Sequence, residues 1–131
     1  MHMRLLIGMI IIALCVAAPV RAESDEAYLV GESLVAAIAG ATLIGSNWAE
    51  YYAPDGKIAG KFRYMGFVRE FTGRWVANED HVCFEYARTE ANTCSRFRRR
   101  GERMLHFGFD DKPKKDPESR RLDGNQVDAF K

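Results

Sequence analysis

From Thr42 onward, apolar and polar residues alternate in short runs that are separated by turn residues. Pro54-Asp55-Gly56 is the clearest turn, because proline presets φ, aspartate bonds its own backbone and glycine tolerates the left-handed conformation. Short alternating runs at regular spacing are typical of antiparallel strands. We therefore predict a mainly β fold over about residues 42–109, an antiparallel meander that forms a small barrel or half-barrel.

Two of the predicted strands follow each other over residues 57–77. Lys57–Tyr64 and Phe67–Ala77 are separated only by Met65-Gly66, a second break in the pattern. Gly73 interrupts the longer strand, and an isolated glycine in a strand often marks a β-bulge. We expect such a bulge at Gly73.

A helix precedes the predicted sheet. Ser24 can cap its start, two acidic residues follow in the first turn, and Gly40 can end it. We predict a helix over about 24–39 that packs one apolar stripe on the sheet and is weakened at Gly31. The stripe is formed by Val30, Leu34, Ala37 and Ile38.

The first 22 residues have the layout of a secretory signal peptide. Arg4 gives a positive start, residues 5–18 are apolar, and Val20-Arg21-Ala22 offers small residues at positions −3 and −1 of a cleavage site after Ala22. The apolar run is shorter than the ~20 residues that span a bilayer; an uncleaved anchor is the alternative. We expect a periplasmic or secreted protein, one domain over 23–131, without a membrane span in the mature chain.

Removal of the predicted signal peptide changes the net charge and the number of cysteines. The chain carries 19 basic and 18 acidic residues, and without Arg4 and Arg21 the balance is 17 to 18, a net charge of −1. Such a balance creates no overall field toward nucleic acid. Loss of Cys15 leaves Cys83 and Cys94, and two cysteines in an exported protein predict one disulfide.

The predicted disulfide also defines a strand register. If Cys83 and Cys94 are opposite each other on antiparallel strands, opposite residues share a face of the sheet. The register thus separates polar from apolar residues, which supports both the bridge and the sheet. One face holds His81, Glu85, Arg96 and Arg98, and the other holds Val82, Phe84, Tyr86 and Phe97.

After the sheet the chain becomes polar. Residues 110–119 are highly charged and contain two prolines, so they predict a loop. Residues 120–130 include Leu122, Val127 and Phe130 around a bend at Gly124-Asn125. They predict either a last edge strand or a disordered tail.

Several landmarks follow one another in a characteristic order: Gly40-Ala41-Thr42, residues 48–56 with Tyr-x-x-Pro-Asp-Gly at their end, Gly60, Gly73-Arg74-Trp75, Cys83-Phe84-Glu85-Tyr86 and Cys94. Over about residues 40–109 this order resembles a group of small exported β-rich proteins of Gram-negative bacteria, known chiefly as a domain of unknown function. The resemblance, with a Gly-Asn pair near the end, implies a lipocalin-like or half-barrel fold and transfers no catalytic residue. The arginine-rich segment and the charged stretch 110–121 depart from the pattern.

The inner face of the predicted sheet carries a charge pair. Trp48 and Glu50 lie on the same face of one predicted strand, and Arg69 and Trp75 lie on the same face of another. If both tryptophans point inward, so do Glu50 and Arg69, unless a bulge at Gly73 changes which face of the strand the residues beyond it occupy. A buried ion pair is costly unless it is well bonded. The pair is therefore either structural or the polar anchor of a small-ligand pocket lined by all four residues.

A cluster of basic side chains forms a second candidate site. Guanidinium groups suit phosphate and carboxylate, and we expect them on the outer face. They either bind an anionic envelope component or protect a sheet edge from pairing. Nucleic acid is not the expected partner, because the interleaved Phe97 points to the core. The cluster comprises Arg96, Arg98, Arg99, Arg100 and Arg103.

No residue set predicts catalysis, a cofactor or a metal site. No serine lies in a Gly-x-Ser-x-Gly elbow. His81, Cys83, Cys94 and His106 are metal-ligand types, but oxidised cysteines offer no thiolate. His106 shares the face of Cys94 only if the turn around Gly101 has three residues.

The leading functional hypothesis is an exported, non-enzymatic binding or accessory protein. A cavity of roughly 300 Å³ or more inside the barrel favours a ligand binder. A filled interior with a protruding 110–121 loop favours the alternative of an inhibitor that docks on a partner enzyme. A small metal carrier or hydrolase is the remaining alternative.

Overall fold

The computed structural model describes residues 27–87 and 92–130 and contains a closed antiparallel barrel of eight strands. Each strand pairs with its neighbours along the chain, and the first pairs with the last. This architecture confirms the predicted mainly β fold. The predicted signal peptide, residues 1–22, lies outside the described residues. The strands are β1 Ala41–Ile44, β2 Trp48–Tyr52, β3 Lys57–Tyr64, β4 Phe67–Ala77, β5 Val82–Tyr86, β6 Thr93–Arg100, β7 Arg103–Phe107 and β8 Pro113–Asp123.

One helix, α1, spans Gly31–Ile38 and is shorter than the predicted 24–39. Ser24, the predicted cap, lies outside the described residues. The residues directly before the helix are extended, because the Leu29 N–H donates to the carbonyl oxygen of Phe97 in β6 at 2.8 Å. This bond holds the chain against the barrel until Gly31, whose φ of 56° redirects it into the helix.

Helix α1 covers one end of the barrel, which we call the closed end. Leu34 and Ile38 are fully buried, and Gly40, with a φ of 74°, ends the helix as predicted and leads into β1. Packing of the apolar helix face on the barrel interior is the main stabilising contribution here. No helix among the described residues is long and apolar enough to cross a bilayer. The helix shares its core with Leu43, Tyr52, Ile58, Trp75, Val82, Phe84, Phe97 and Met104.

Strands β5 and β6 pair in the predicted register. Cys83 is opposite Cys94 and forms a disulfide with it, and Val82 is opposite Ser95. The Val82 side chain is fully buried, whereas Glu85 on the other face is exposed. The disulfide and the two faces of this hairpin are therefore confirmed.

Strands β3 and β4 have the predicted bounds. Met65 and Gly66 join them with φ values of 48° and 80°, a two-residue turn of the kind that suits hairpins. The predicted bulge at Gly73 is wrong, because the pairing passes through this residue without a shift on either side. Glycine is needed there for another reason: a Cβ at Gly73 would lie 2.4 Å from the carbonyl oxygen of Glu85.

Strand β8 corrects the prediction of a polar loop over 110–119. The strand begins at Pro113 and ends at Asp123, so only residues 120–123 of the predicted edge strand over 120–130 are in a strand, and that strand is not at an edge. A short 3-10 helix, Val127–Ala129, follows. β8 pairs with β7 at Pro113 and over Glu118–Arg120, and with β1 over Arg120–Asp123, and these pairings outweigh the low strand propensity of its charged residues.

Candidate functional site

The end of the barrel opposite helix α1, which we call the open end, holds a cavity of about 680 Å³. Trp48 begins β2, and Phe62 and Arg69 flank the β3–β4 turn, so the cavity lies where these strands reach the open end. This volume is within the usual range for small-molecule sites. The lining residues are Trp48, Glu50, Phe62, Arg69, Glu70, Phe71, Thr72 and Tyr86.

The indole of Trp48 is held in place on two sides. Its Nε1 donates to Asp116 Oδ2 at 2.5 Å, and the Ser46 hydroxyl donates to the same oxygen at 3.2 Å. Gly45 provides the space for the ring, since a Cβ there would lie 2.2 Å from it. Trp48 is therefore a fixed wall of the cavity, at the position that the sequence predicts for a ligand contact.

Phe62, Phe71 and Tyr86 form a continuous aromatic wall. The ring centroids of Phe62 and Phe71 are 5.9 Å apart, and those of Phe71 and Tyr86 are 5.7 Å apart. Gly60 lies beneath Phe71, because a Cβ there would be 2.2 Å from the far end of the ring. These aromatics are absent from the predicted ligand set. Alternation predicts the face of a side chain, but it does not show where the interior is hollow.

Glu50 lies at the base of the cavity and is only 7% exposed, on the inner face as predicted. The Tyr86 hydroxyl donates to its Oε1 at 2.7 Å, and the Tyr52 hydroxyl donates to Oε2. Burial raises the pKa of Glu50, and the two hydrogen bonds oppose that shift. Burial and the nearby carboxylate also raise the pKa of both tyrosines, so their hydroxyls stay protonated donors.

Arg69 and Trp75 do not complete the predicted arrangement. Arg69 lines the cavity but is exposed at its rim, and no ion pair joins it to Glu50. The reason is its position near the start of β4, from which a long side chain reaches water and keeps its hydration. Trp75 belongs to the closed-end core and donates its Nε1 to the carbonyl oxygen of Ala53 at 2.9 Å.

A smaller cavity of about 280 Å³ adjoins the first and shares Trp48, Glu50 and Tyr86 with it. His106 lines its wall and contacts the Ser119 hydroxyl at 2.7 Å through Nε2. Burial lowers the pKa of His106 to about 4, so the ring is neutral at neutral pH.

The inward position of His106 follows from the length of one turn. Arg100 pairs with Arg103, so the β6–β7 turn has two residues and His106 is opposite Phe97. This arrangement places His106 on the inner face, away from the cysteines. His81, Cys83 and Cys94 do lie close together, but both sulfur atoms are in the disulfide and the His81 Nδ1 contacts Asp80 at 2.7 Å.

The members of the predicted arginine cluster make different contacts. Arg96 pairs with Asp80 at 3.0 Å and Asp111 at 2.8 Å, and Arg98 lies 4.4 Å from the ring centroid of Tyr28. These two side chains attach the segment before the helix to the barrel wall.

The other three members lie around the β6–β7 turn at the closed end. All three are exposed, and Arg103 pairs with Glu118 at 3.1 Å. Anion binding by this cluster stays a prediction.

No family model, curated protein sequence or solved structure matches the chain. The resemblance to small exported β-rich proteins stays a prediction, and the geometry of the cavity carries the functional argument.

Proposed function

We propose that the protein is an exported, non-enzymatic binding protein that holds one small ligand with an apolar body inside the barrel. The observation that carries this proposal is the open-end cavity of about 680 Å³ with its aromatic lining. An eight-stranded barrel has an interior that is either filled by side chains or wide enough for one small ligand. Here helix α1 and its core occupy the closed end, and the cavity occupies the other.

The composition of the lining supports a ligand with a large apolar part. Trp48, Phe62, Phe71 and Tyr86 contribute ring surface, and the deepest polar group is Glu50. Pockets that bind small molecules combine mostly apolar walls with a few polar groups that orient the ligand. The rings are held by packing and hydrogen bonds before any ligand enters, so binding orders few additional side chains.

The location of the protein is part of the same proposal. The signal-peptide layout of residues 1–22 directs the chain out of the cytoplasm. The disulfide between Cys83 and Cys94 suits an oxidising compartment. The alternative of an enzyme inhibitor depended on a protruding loop over 110–121, and most of that segment is β8, part of the barrel wall. We therefore retain the hypothesis of a binding protein.

The test is a titration with N-phenyl-1-naphthylamine, a fluorescent apolar probe that is uncharged at neutral pH. We expect saturable binding of about one probe per chain, because one open-end cavity formed by the described residues is of sufficient size. The variant Gly60→Ala should bind the probe at least about fivefold more weakly, since its methyl group displaces the Phe71 ring into the cavity. Fluorescence titration measures both affinities.

The matched control is Ala59→Ser, which changes the neighbouring residue on the exposed face of the same strand. Its affinity for the probe should equal that of the wild type. Wild-type protein that shows no saturable probe binding would overturn the proposed function whatever the variants do.

A further inference from the structure

Among the described residues that line the cavity, Glu50 is the buried acidic group, and its two hydrogen-bond partners are neutral tyrosine hydroxyls. Glu50 accepts one hydrogen bond on each carboxylate oxygen, from Tyr52 and from Tyr86. An ionised carboxylate has about four acceptor positions, so two donors leave capacity on the side that lines the cavity. Within residues 27–87 and 92–130, no lysine, arginine or histidine forms an ion pair with Glu50.

The other charged residues that the structure describes around the cavities are more exposed than Glu50 and carry both signs of charge. Arg69 and Glu70 are both exposed at the rim of the larger cavity. Lys114, Lys115 and Asp116 line the smaller cavity, where Lys114 donates to Thr93 at 3.3 Å. The buried His106 ring is neutral, as described above. Among the described residues, the ionisable acidic group that remains deep inside is therefore Glu50.

Aromatic rings surround the same place. Tyr86 donates to Glu50 and is also in edge contact with Phe71, and Trp48 lines both cavities beside Glu50. Ring faces attract cations, and this attraction grows when the cation is desolvated. A carboxylate next to several rings is thus suited to an ammonium group and unsuited to an anion.

We propose that the ligand carries an ammonium group on an apolar body, with the ammonium against Glu50 and the rings of Trp48 and Tyr86. The apolar body then lies along Phe62 and Phe71 toward the open end. This inference rests on the proposed binding function and specifies its ligand class. A cation at this position would also offset the desolvation penalty on the buried carboxylate.

The test compares three compounds that share one alkyl chain and differ in their head group: octylamine, octanol and octanoate. Each displaces N-phenyl-1-naphthylamine from the wild-type protein at neutral pH. We expect octylamine to displace the probe at a concentration at least about tenfold lower than octanol requires. The reason is that only the amine gains the charge-assisted contact and the cation–π contacts. Octanoate should be the weakest, because its charge repels Glu50.

The variant Glu50→Gln keeps an acceptor oxygen and removes the charge. This substitution should lower the affinity for octylamine about tenfold, to the level of octanol. The affinity for octanol should stay within about twofold of the wild-type value. The matched control is Glu85→Gln, which removes an exposed carboxylate on the outer face of β5, away from the cavity, and should change neither affinity. If Glu50→Gln does not fold, the ranking of the three compounds on the wild-type protein still decides the question.

Each result has one meaning. Equal displacement by octylamine and octanol overturns the ammonium inference and leaves the binding function intact. Strongest displacement by octanoate also overturns it, and assigns ligand recognition to the basic rim groups. Absence of probe binding overturns the proposed function itself, and the inference with it.

Discussion

Individual polar residues inside the barrel couple its stability to pH, and His106 is the clearest case. Its ring packs 4.9 Å from Phe97 and 6.0 Å from Trp48, measured between centroids, and burial lowers its pKa to about 4. Asp116 raises this pKa and Lys114 lowers it, and both effects are smaller than that of burial. The fold therefore favours the neutral ring.

We expect His106 to destabilise the fold as the pH falls below the ordinary histidine pKa. An unfolded histidine titrates near ~6.5, so its proton binds more weakly in the folded state, where the pKa is about 4. The stabilising contribution of the neutral ring is complete above about pH 6.5 and is lost as the pH falls through 4. Urea unfolding should show a loss of roughly 2 kcal/mol from this residue between about pH 7 and pH 5.

The comparison requires a variant, because Glu50 acts in the opposite direction. A raised carboxyl pKa means that the folded state binds this proton more tightly, so acid favours the fold at Glu50. The variant His106→Gln should lack the loss between these pH values that the wild type shows. Wild-type and variant stabilities that change in parallel with pH would contradict the prediction.

Among the barrel's elements, the β5–β6 hairpin depends most on a covalent link. Among its described residues, the ladder has three paired positions, Val82 to Phe84 against Thr93 to Ser95, whereas β3 and β4 pair over eight. The disulfide joins the central pair of the short ladder. The covalent bond thus keeps together two strands that share few backbone hydrogen bonds.

We expect the double variant Cys83→Ala/Cys94→Ala to lose roughly 3 kcal/mol of unfolding free energy, because a bridge between residues 11 positions apart restricts the unfolded chain. Urea unfolding measures this loss. Denatured wild-type protein taken from the periplasm of a Gram-negative host should show no free thiol, since Cys15 leaves with the predicted signal peptide. Two free thiols per chain would contradict the bridge, and one would show that Cys15 is retained.

The molecule as a whole divides its stability and its proposed binding between the two ends of the barrel. Helix α1 fills the closed end with Leu34 and Ile38, while the open end carries the cavity. None of the residues that line the cavity belongs to the helix. Changes at the helix should therefore affect stability without affecting the cavity.

The variant Leu34→Ala should cost about 2–5 kcal/mol of unfolding free energy, because it leaves a void in the closed-end core. Its affinity for N-phenyl-1-naphthylamine should stay within about twofold of wild type under conditions where it is fully folded. The control Val35→Ala, at an exposed position of the same helix, should change neither quantity. A large loss of probe affinity in Leu34→Ala would show that the two ends are coupled.

The sequence alone determined the β class, the bounds of β3 and β4, the disulfide register and the inward direction of Glu50. Each of these follows from local pattern, since side chains alternate along a strand and turn residues separate strands. The tertiary structure alone decided that the charged segment from Pro113 to Asp123 closes the barrel. That strand is stabilised by pairing with β1 and with β7. β1 is far from it in sequence, and no alternating pattern in the sequence indicates its pairing with β7.

The tertiary structure alone also decided that the open end of the barrel contains a cavity. Trp75 and Trp48 share the inner face, yet one packs in the core and the other lines a cavity. Glu50 bonds to Tyr86, which is 36 residues away, instead of to the predicted Arg69. Parity along a strand specifies a direction, whereas the neighbours of a side chain depend on how eight strands stagger around the barrel axis.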